Sequence, residues 1–275
     1  MTERLSGEKN PPGGKTPDIG IIGGTGGIGK WFADFFQKQG FPVHAAGRHT
    51  GLEWETLARQ CAVVFISVPI SATCDTIRRV GRHLGKEKAL MDLTSLKAGP
   101  VKTMLESSQA EVVGLHPLFG PDAPSLEGQN IVVCPARGEK WLSWIREILR
   151  KNGARLQEVT PEKHDKMMAY VQGLPHLTTI LMGALIREGE TDLAELEKYS
   201  TPVFRARMAM VNKVFGINPR LYAEILALNP ETLAILTRCE KALAELKARM
   251  RIEDLESLRQ WLAGEGASGR GRQEA

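Results

Sequence analysis

Apolar residues along this chain fall into two regimes. Up to about Lys151 they come in short runs that alternate with amphipathic stretches. Asp18–Ile22 is an apolar run that stops at Gly23. Ile28, Trp31, Phe32, Phe35 and Phe36 then recur at spacings of three and four, which predicts a helix over Gly27–Gln39 with one buried face. Pro42–Ala46 reads as a second strand. Ala62–Val68 (AVVFISV) is almost continuously apolar, as a strand covered on both faces should be. The alternation goes on through a helix at Thr73–His83, a strand at Ala89–Leu93, a helix at Lys97–Ser107, strands at Glu111–Leu115 and Asn130–Cys134, and a helix at Trp141–Lys151. Strands alternating with helices predict a parallel, doubly wound sheet.

From Pro161 to Trp261 the pattern reads almost wholly as helix, with breaks near Gly173–Pro175, Gly189, Ser200–Pro202, Gly216–Pro219 and Asn229–Pro230. The expected architecture is therefore α/β: a Rossmann-type doubly wound sheet followed by an all-helical domain. The expected divisions are a polar leader (1–17), a nucleotide domain (18–160), a helical domain (161–263) and a polar tail (264–275), with the boundary near Glu158–Pro161.

Composition narrows the functional classes. The 275 residues carry a formal charge of only +4, to which both polar ends contribute, so a dedicated nucleic-acid surface is not expected. Cys61, Cys74, Cys134 and Cys239 are far apart and form no CxxC, which predicts reduced thiols and no metal site. Met1–Lys15 lacks a signal pattern, and the apolar stretches read as too short to span a bilayer. A cytoplasmic protein without a membrane partner is expected.

The first chemistry lies in Ile19–Gly29, which contains Gly24-x-Gly26-x-x-Gly29 between a predicted strand and a predicted helix. That is the context a dinucleotide fingerprint requires. Gly24 is expected to permit the tight turn, Gly26 to let the backbone approach a pyrophosphate, and Gly29 to pack helix on strand. Thr25, Gly27 and Ile28 complete the loop at the helix N-terminus, where free N–H groups attract an anion. The second strand ends Ala46-Gly47-Arg48-His49-Thr50, without the carboxylate that bonds an NAD ribose. Arg48, helped by His49 and Thr50, suits a 2′-phosphate, so NADP is favoured and NAD remains an alternative.

Active sites of open parallel sheets lie beyond the carboxyl ends of the strands. Three such ends carry chemistry: Ser67-Val68-Pro69, Asp92 to Pro100 (DLTSLKAGP), and Gly114 to Asp122 (GLHPLFGPD). The histidine motif HPLFGPD, the preceding Leu-Thr-Ser-x-Lys loop, His164-Asp165, Gln172 to His176 (QGLPH) and Ser200 to Arg205 (STPVFR) together resemble the prephenate/arogenate dehydrogenase family, in order and spacing, from about Ile19 to about Leu228.

That resemblance implies oxidative decarboxylation of prephenate to 4-hydroxyphenylpyruvate, with hydride transfer to NAD(P), in tyrosine biosynthesis. His116 would be the catalytic base and Ser95 its partner. Lys97, Asp122, His176, Arg205 and Tyr222 would contact substrate, with Arg205 on a carboxylate and Tyr222 reaching a partner subunit's site. The helical domains of two chains would form a homodimer, and no fused mutase domain is expected. Alternatives are an arogenate or aminodeoxyprephenate dehydrogenase, with Asp122 meeting the amine. A β-hydroxyacid dehydrogenase would use Lys163 or Lys166. A non-catalytic NADPH-binding regulator should lack the proton acceptor that His116 supplies.

Overall fold

The computed structural model describes residues 16–189, 192–250 and 255–264. The expected leader and tail lie almost wholly outside them. Seven strands, β1 (Ile19–Ile22), β2 (Val43–Ala46), β3 (Val63–Ile66), β4 (Ala89–Asp92), β5 (Glu111–Pro117), β6 (Asn130–Arg137) and β7 (Arg155–Glu158), form one sheet in the order β2-β1-β3-β4-β5-β6-β7. The first five run parallel to one another. β6 departs from the all-parallel expectation: it runs antiparallel to β5, with β7 parallel to it. The chain from Leu118 to Gln129 forms turns and no helix, so nothing carries it back across the sheet. A parallel return needs such a crossover.

Between the strands run α1 (Gly27–Lys38), α2 (Trp54–Gln60), α3 (Ile70–Gly81), α4 (Ala98–Ser107) and α5 (Lys140–Lys151). Alternate strand residues feed two cores, as the period of two demands. Val63 and Phe65 join Phe32, Phe36, Trp141 and Ile145 on one face, while Val64 and Ile66 join Ile77, Val80 and Met104 on the other. The aromatic face also fixes a loop: Phe119 packs edge-on against Trp31, whose indole Nε1 donates to the Ala123 carbonyl at 2.7 Å. The segment after β5 is thereby tied to α1.

The helical half begins with three starts built alike. Thr160, Thr201 and Asn218 accept from the backbone N–H three residues on, and a proline follows each at the first helical position. The side chain satisfies one free N–H, and proline has none to leave unpaired. They open α6 (Pro161–Met168), α9 (Pro202–Asn212) and α10 (Pro219–Leu228).

One expected break is absent. A π-helical turn at Ala169–Gly173 leads straight into α7 (Leu174–Glu188). Pro175 has no N–H to donate, and the wider turn before it lets the helix continue. The result is a 28-residue helix, Pro161–Glu188, whose most apolar window has mean hydropathy 1.2 and is 22% buried. By length and composition alone it could cross a membrane, which corrects the expectation that no apolar stretch approaches that length.

A short α8 (Leu193–Lys198) precedes α9, and a second π turn, Lys213–Ile217, joins α9 to α10. Helix α6 packs on α4 and α10 on α3. The chain forms two compact units that divide at Asn229–Pro230. The second holds α11 (Glu231–Arg249) and α12 (Leu255–Ala263), where the Trp261 indole donates to Glu245 at 3.3 Å.

Candidate active site

The turn after β1 is built by glycines, with one reassignment. Gly23, not Gly24, makes the tight turn: its φ is +88°, its N–H donates to the Ala46 carbonyl at 2.7 Å, and a Cβ there would sit 2.0 Å from the Ser67 carbonyl oxygen. Gly24 is needed for space, because a Cβ would come within 2.9 Å of the Ala45 Cβ. Gly29 packs α1 onto the turn as expected, with room for no side chain beside the Gly23 carbonyl at 2.4 Å. Gly26 and Gly27 are different: nothing lies within 4 Å of where their Cβ atoms would be, and both border an open cavity. No side chain caps the N-terminus of α1. Free N–H groups and an open glycine surface form a cradle that fits a pyrophosphate.

The cavity has two lobes of about 380 Å³ each. The first is lined by Gly26, Gly27, Ile28, Ser67–Pro69, Thr94, Ser95 and His116, and closed by Asn218, which caps α10, and by Arg220, Leu221 and Glu224 of α10. The second runs past Thr25 and Gly47 to Arg48 and Trp54. His49 and Thr50 line neither lobe. Thr50 closes the β2 loop instead, its hydroxyl accepting from the Gly47 N–H at 3.1 Å and donating to the Gly47 carbonyl at 3.2 Å.

His116 stands at the end of β5 and is 3% exposed. Its Nδ1 lies 2.8 Å from Nε2 of His164, and His164 Nδ1 lies 2.7 Å from Oδ1 of Asp165. The Asp165 carboxylate also accepts the N–H groups of Lys97 (2.8 Å) and Ala98 (2.9 Å) at the start of α4. Three donors thus surround one carboxylate, and as an anion, an acceptor only, it takes all of them. With Asp165 ionised, His164 donates from Nδ1 and accepts at Nε2, so His116 donates from Nδ1. That leaves His116 Nε2 with its lone pair. Gln172 Nε2, 3.3 Å away, donates to it. Burial, then the neighbouring His164 and Lys97, hold the His116 imidazole well below its ordinary pKa. It is a neutral base facing a cavity.

Lys97 is placed otherwise than expected. Its side chain is fully buried, its ammonium paired with Asp92 and donating to the Leu115 carbonyl at 2.9 Å. Gly114 makes room, since a Cβ there would stand 3.0 Å from the Lys97 stem. Lys97 therefore does not reach a substrate in the cavity: a buried Asp at a strand end demands a counter-ion, and Lys97 is it. Ser95 borders the cavity beside His116, although no hydrogen bond joins them among the described residues. Asp122 is exposed and lies outside the lining. Arg205 is exposed on α9, bonded to the Ser200 carbonyl and hydroxyl at 2.9 and 3.0 Å, and lines neither lobe. Tyr222 is 7% exposed and packs edge-on against His176 of its own chain, centroids 4.8 Å apart, rather than pointing outward. Burial lowers the His176 pKa, and its Nδ1 is buried without a partner.

His164, Gln172, Arg220 and Glu224 belong to the site and were not singled out as site residues from the sequence. His164-Asp165 was visible as a motif without a role. Arg220, after a proline at a helix start, reads as an ordinary solvated first-turn residue. Lys163 and Lys166, the lysines a β-hydroxyacid dehydrogenase would need, are exposed, while His164 and Asp165 between them turn inward.

The turn, the switch of strand order around β1 and a histidine cavity at the strand ends define a Rossmann-type nucleotide-binding protein. Residues 43–158 match the prephenate dehydrogenase nucleotide-binding domain, and residues 160–264 match the prephenate dehydrogenase dimerization domain. The chain belongs to the prephenate dehydrogenase family. It is 36% identical over 231 residues to a probable arogenate/prephenate dehydrogenase of Methanocaldococcus jannaschii, covering 77% of this chain and 52% of that protein. It is 34% identical over 218 residues to the T-protein of Haemophilus influenzae, covering 79% and 58%. The chain thus spans a little over half the length of these curated relatives. The fold is also that of Aquifex aeolicus prephenate dehydrogenase, solved with hydroxyphenyl propionate and NAD+ (TM-score 0.74, 19% identity, 91% of this chain and 96% of that one). Synechocystis arogenate dehydrogenase is similar as well (TM-score 0.69, 21% identity, 90% and 96%).

Proposed function

We propose that the chain catalyses the oxidative decarboxylation of prephenate to 4-hydroxyphenylpyruvate, with hydride transfer to NAD(P), in tyrosine biosynthesis. The observation that carries this reading is the line His116–His164–Asp165, which leaves the His116 Nε2 lone pair as an acceptor at the cavity. A bound nicotinamide supplies the hydride acceptor. His116 Nε2 accepts the proton of the ring hydroxyl as the C–H electrons leave, and the substrate hydroxyl takes the place that the Gln172 amide now holds. The ring carboxylate then departs as carbon dioxide and leaves its C–C bonding pair in the ring, which becomes aromatic, with the former hydroxyl oxygen as the phenol oxygen. His164 fixes the His116 tautomer, and Asp165 stabilises the imidazolium formed, as the acid of a catalytic triad does. Ser95 orients the hydroxyl. Gly26, Gly27 and the α1 N-terminus would hold the pyrophosphate, with Ser67–Pro69 beside the ribose.

NADP is the favoured cofactor, because Arg48 borders the second lobe and no described carboxylate pairs with it. Thr50 shapes the loop that carries Arg48, and His49 is left to the solvent. The apolar side chains exposed on α7 and α9, such as Leu185 and Val203, support a homodimer through the helical half. We assign Arg205 to a substrate carboxylate in that dimer, where an exposed α9 is available to a second chain. The division at Glu158–Pro161 and a cytoplasmic location go with this reading. Arogenate is the second substrate to test, since Glu224 places a carboxylate among the cavity residues.

The test is a matrix of prephenate and arogenate, each with NAD and NADP, followed at the nicotinamide absorbance, for wild type and Arg48→Ala. Turnover of prephenate is expected, with Arg48→Ala lowering NADP efficiency roughly ten- to a hundredfold more than NAD efficiency. No turnover of either substrate would remove the reading; an equal effect on both cofactors would remove Arg48.

A further inference from the structure

The two lobes of the cavity share a strip. Gly26, Ser67, Val68, Pro69 and Arg220 border both. Four of these come from the glycine turn and the loop after β3. The fifth comes from the first turn of α10, in the helical half. One lobe leads to His116 and the other to Arg48, so an elongated ligand lying across the strand ends would have its midpoint at the strip. In the lobe that holds His116, Arg220 is the one permanent cation among the described lining residues.

Arg220 is also held ready. Its Nε donates to Glu224 at 2.7 Å and an Nη donates to the Ser71 hydroxyl at 3.1 Å. The Ser71 hydroxyl and N–H in turn donate to Glu224, at 2.7 and 3.3 Å. Glu224 is only 12% exposed at its side chain, whereas Arg220 is 63% exposed. Burial alone would raise the Glu224 carboxyl, but bonds from Arg220 and Ser71 outweigh it and keep it ionised. Those two bonds leave the other guanidinium N–H donors for a ligand. An arginine with spare donors beside an uncapped helix start is matched to a phosphate, which takes a planar fork and backbone N–H groups together.

We propose that Arg220 is a dinucleotide-binding residue that engages the cofactor's pyrophosphate together with the glycine turn, so that a helix of the helical half completes the nucleotide site. This rests on reading the cavity as a dinucleotide site. The pyrophosphate is common to NAD and NADP, so Arg220 serves both, whereas Arg48 distinguishes them. Ser71 lies in the first turn of α3, and Glu224 and Arg220 sit on α10, so the cation is anchored across the packing of α10 on α3.

The experiment is calorimetric titration of the full chain with ADP-ribose, NAD and NADP, for wild type, Arg220→Gln and Arg220→Lys, with melting temperatures measured alongside. Arg220→Gln is expected to weaken all three ligands by about tenfold, and by the same factor, with Arg220→Lys falling between. The exposed side chain predicts an unchanged melting temperature. If wild type binds none of the three, the dinucleotide reading of the cavity fails and the proposal falls with it. If wild type binds and Arg220→Gln binds equally well, the cavity reading stands and the proposal is overturned. A loss confined to NADP would overturn it too, by making Arg220 a 2′-phosphate ligand. So would a lowered melting temperature with unchanged affinity, which would make Arg220 a packing contact only.

Discussion

A single nitrogen decides the chemistry of this site. His116 could have faced the cavity with an N–H or with a lone pair, and the difference is set two residues away, by an ionised Asp165 acting through His164. His164 is therefore a positioning residue. We expect His164→Ala to lower kcat by about a hundredfold while leaving the KM values for substrate and cofactor little changed. His164→Gln should recover part of the loss, because its amide oxygen can accept the His116 Nδ1–H. Equal losses for both variants, or a loss seen only in KM, would contradict that role. The sequence made His116 legible because a strand end, a proline and a family motif coincide there. Lys97 was misread for a physical reason: a lysine after a polar loop can point out or in, and only the packing around Asp92 settles which.

Elements carry the nucleotide site, and there the strand–turn–helix context was readable from glycine spacing alone. What spacing could not give was the division of labour within Gly-Gly-Thr-Gly-Gly-Ile-Gly. Positive φ falls on Gly23 and Gly27, tight packing on Gly24 and Gly29, and open space on Gly26. Gly23→Ala should be destabilising, since it combines a left-handed backbone with a clash at 2.0 Å against the Ser67 carbonyl. Gly26→Ala should melt like wild type yet bind dinucleotide at least about tenfold more weakly, because its methyl group enters the cradle. Thermal melts and titration separate the two; a Gly26→Ala protein with full affinity would place the phosphate elsewhere. The elements missed from sequence were the least apolar ones. β7 (RLQE) is a mostly exposed edge, and α2 has only seven residues. The antiparallel β6 was hidden because strand direction depends on the connection, not on the strand's own residues.

At the scale of the whole molecule, the helical half shows more apolar surface than one chain can use. Leu185 is 68% exposed and Val203 71%, on helices α7 and α9 that pack together. Side chains of that kind mark a surface that a partner covers. Sedimentation at micromolar concentration should give a dimer, and Leu185→Glu should shift it to monomer with the nucleotide site intact. A wild-type monomer would leave the apolar face unexplained. The sequence announced that half as helical. It did not announce one continuous helix through Pro175, because a proline ends a helix unless the turn before it widens.

The most direct test of the account joins these scales in the behaviour of His116. Its folded pKa lies well below the ordinary value of 6.5, through burial first and then His164 and Lys97. A base with a depressed pKa stays neutral as the pH falls, so the acid limb of the rate should lie below pH 6.5, not at it. The measurement is prephenate-dependent reduction of the nicotinamide cofactor between about pH 5 and about pH 8, with His116→Asn alongside wild type. We predict a wild-type rate held well into the acid range. His116→Asn should bind dinucleotide normally and turn over roughly a hundred- to ten-thousand-fold more slowly, without that acid limb. A variant that turns over at the wild-type rate with the same pH profile would show that His116 is not the base.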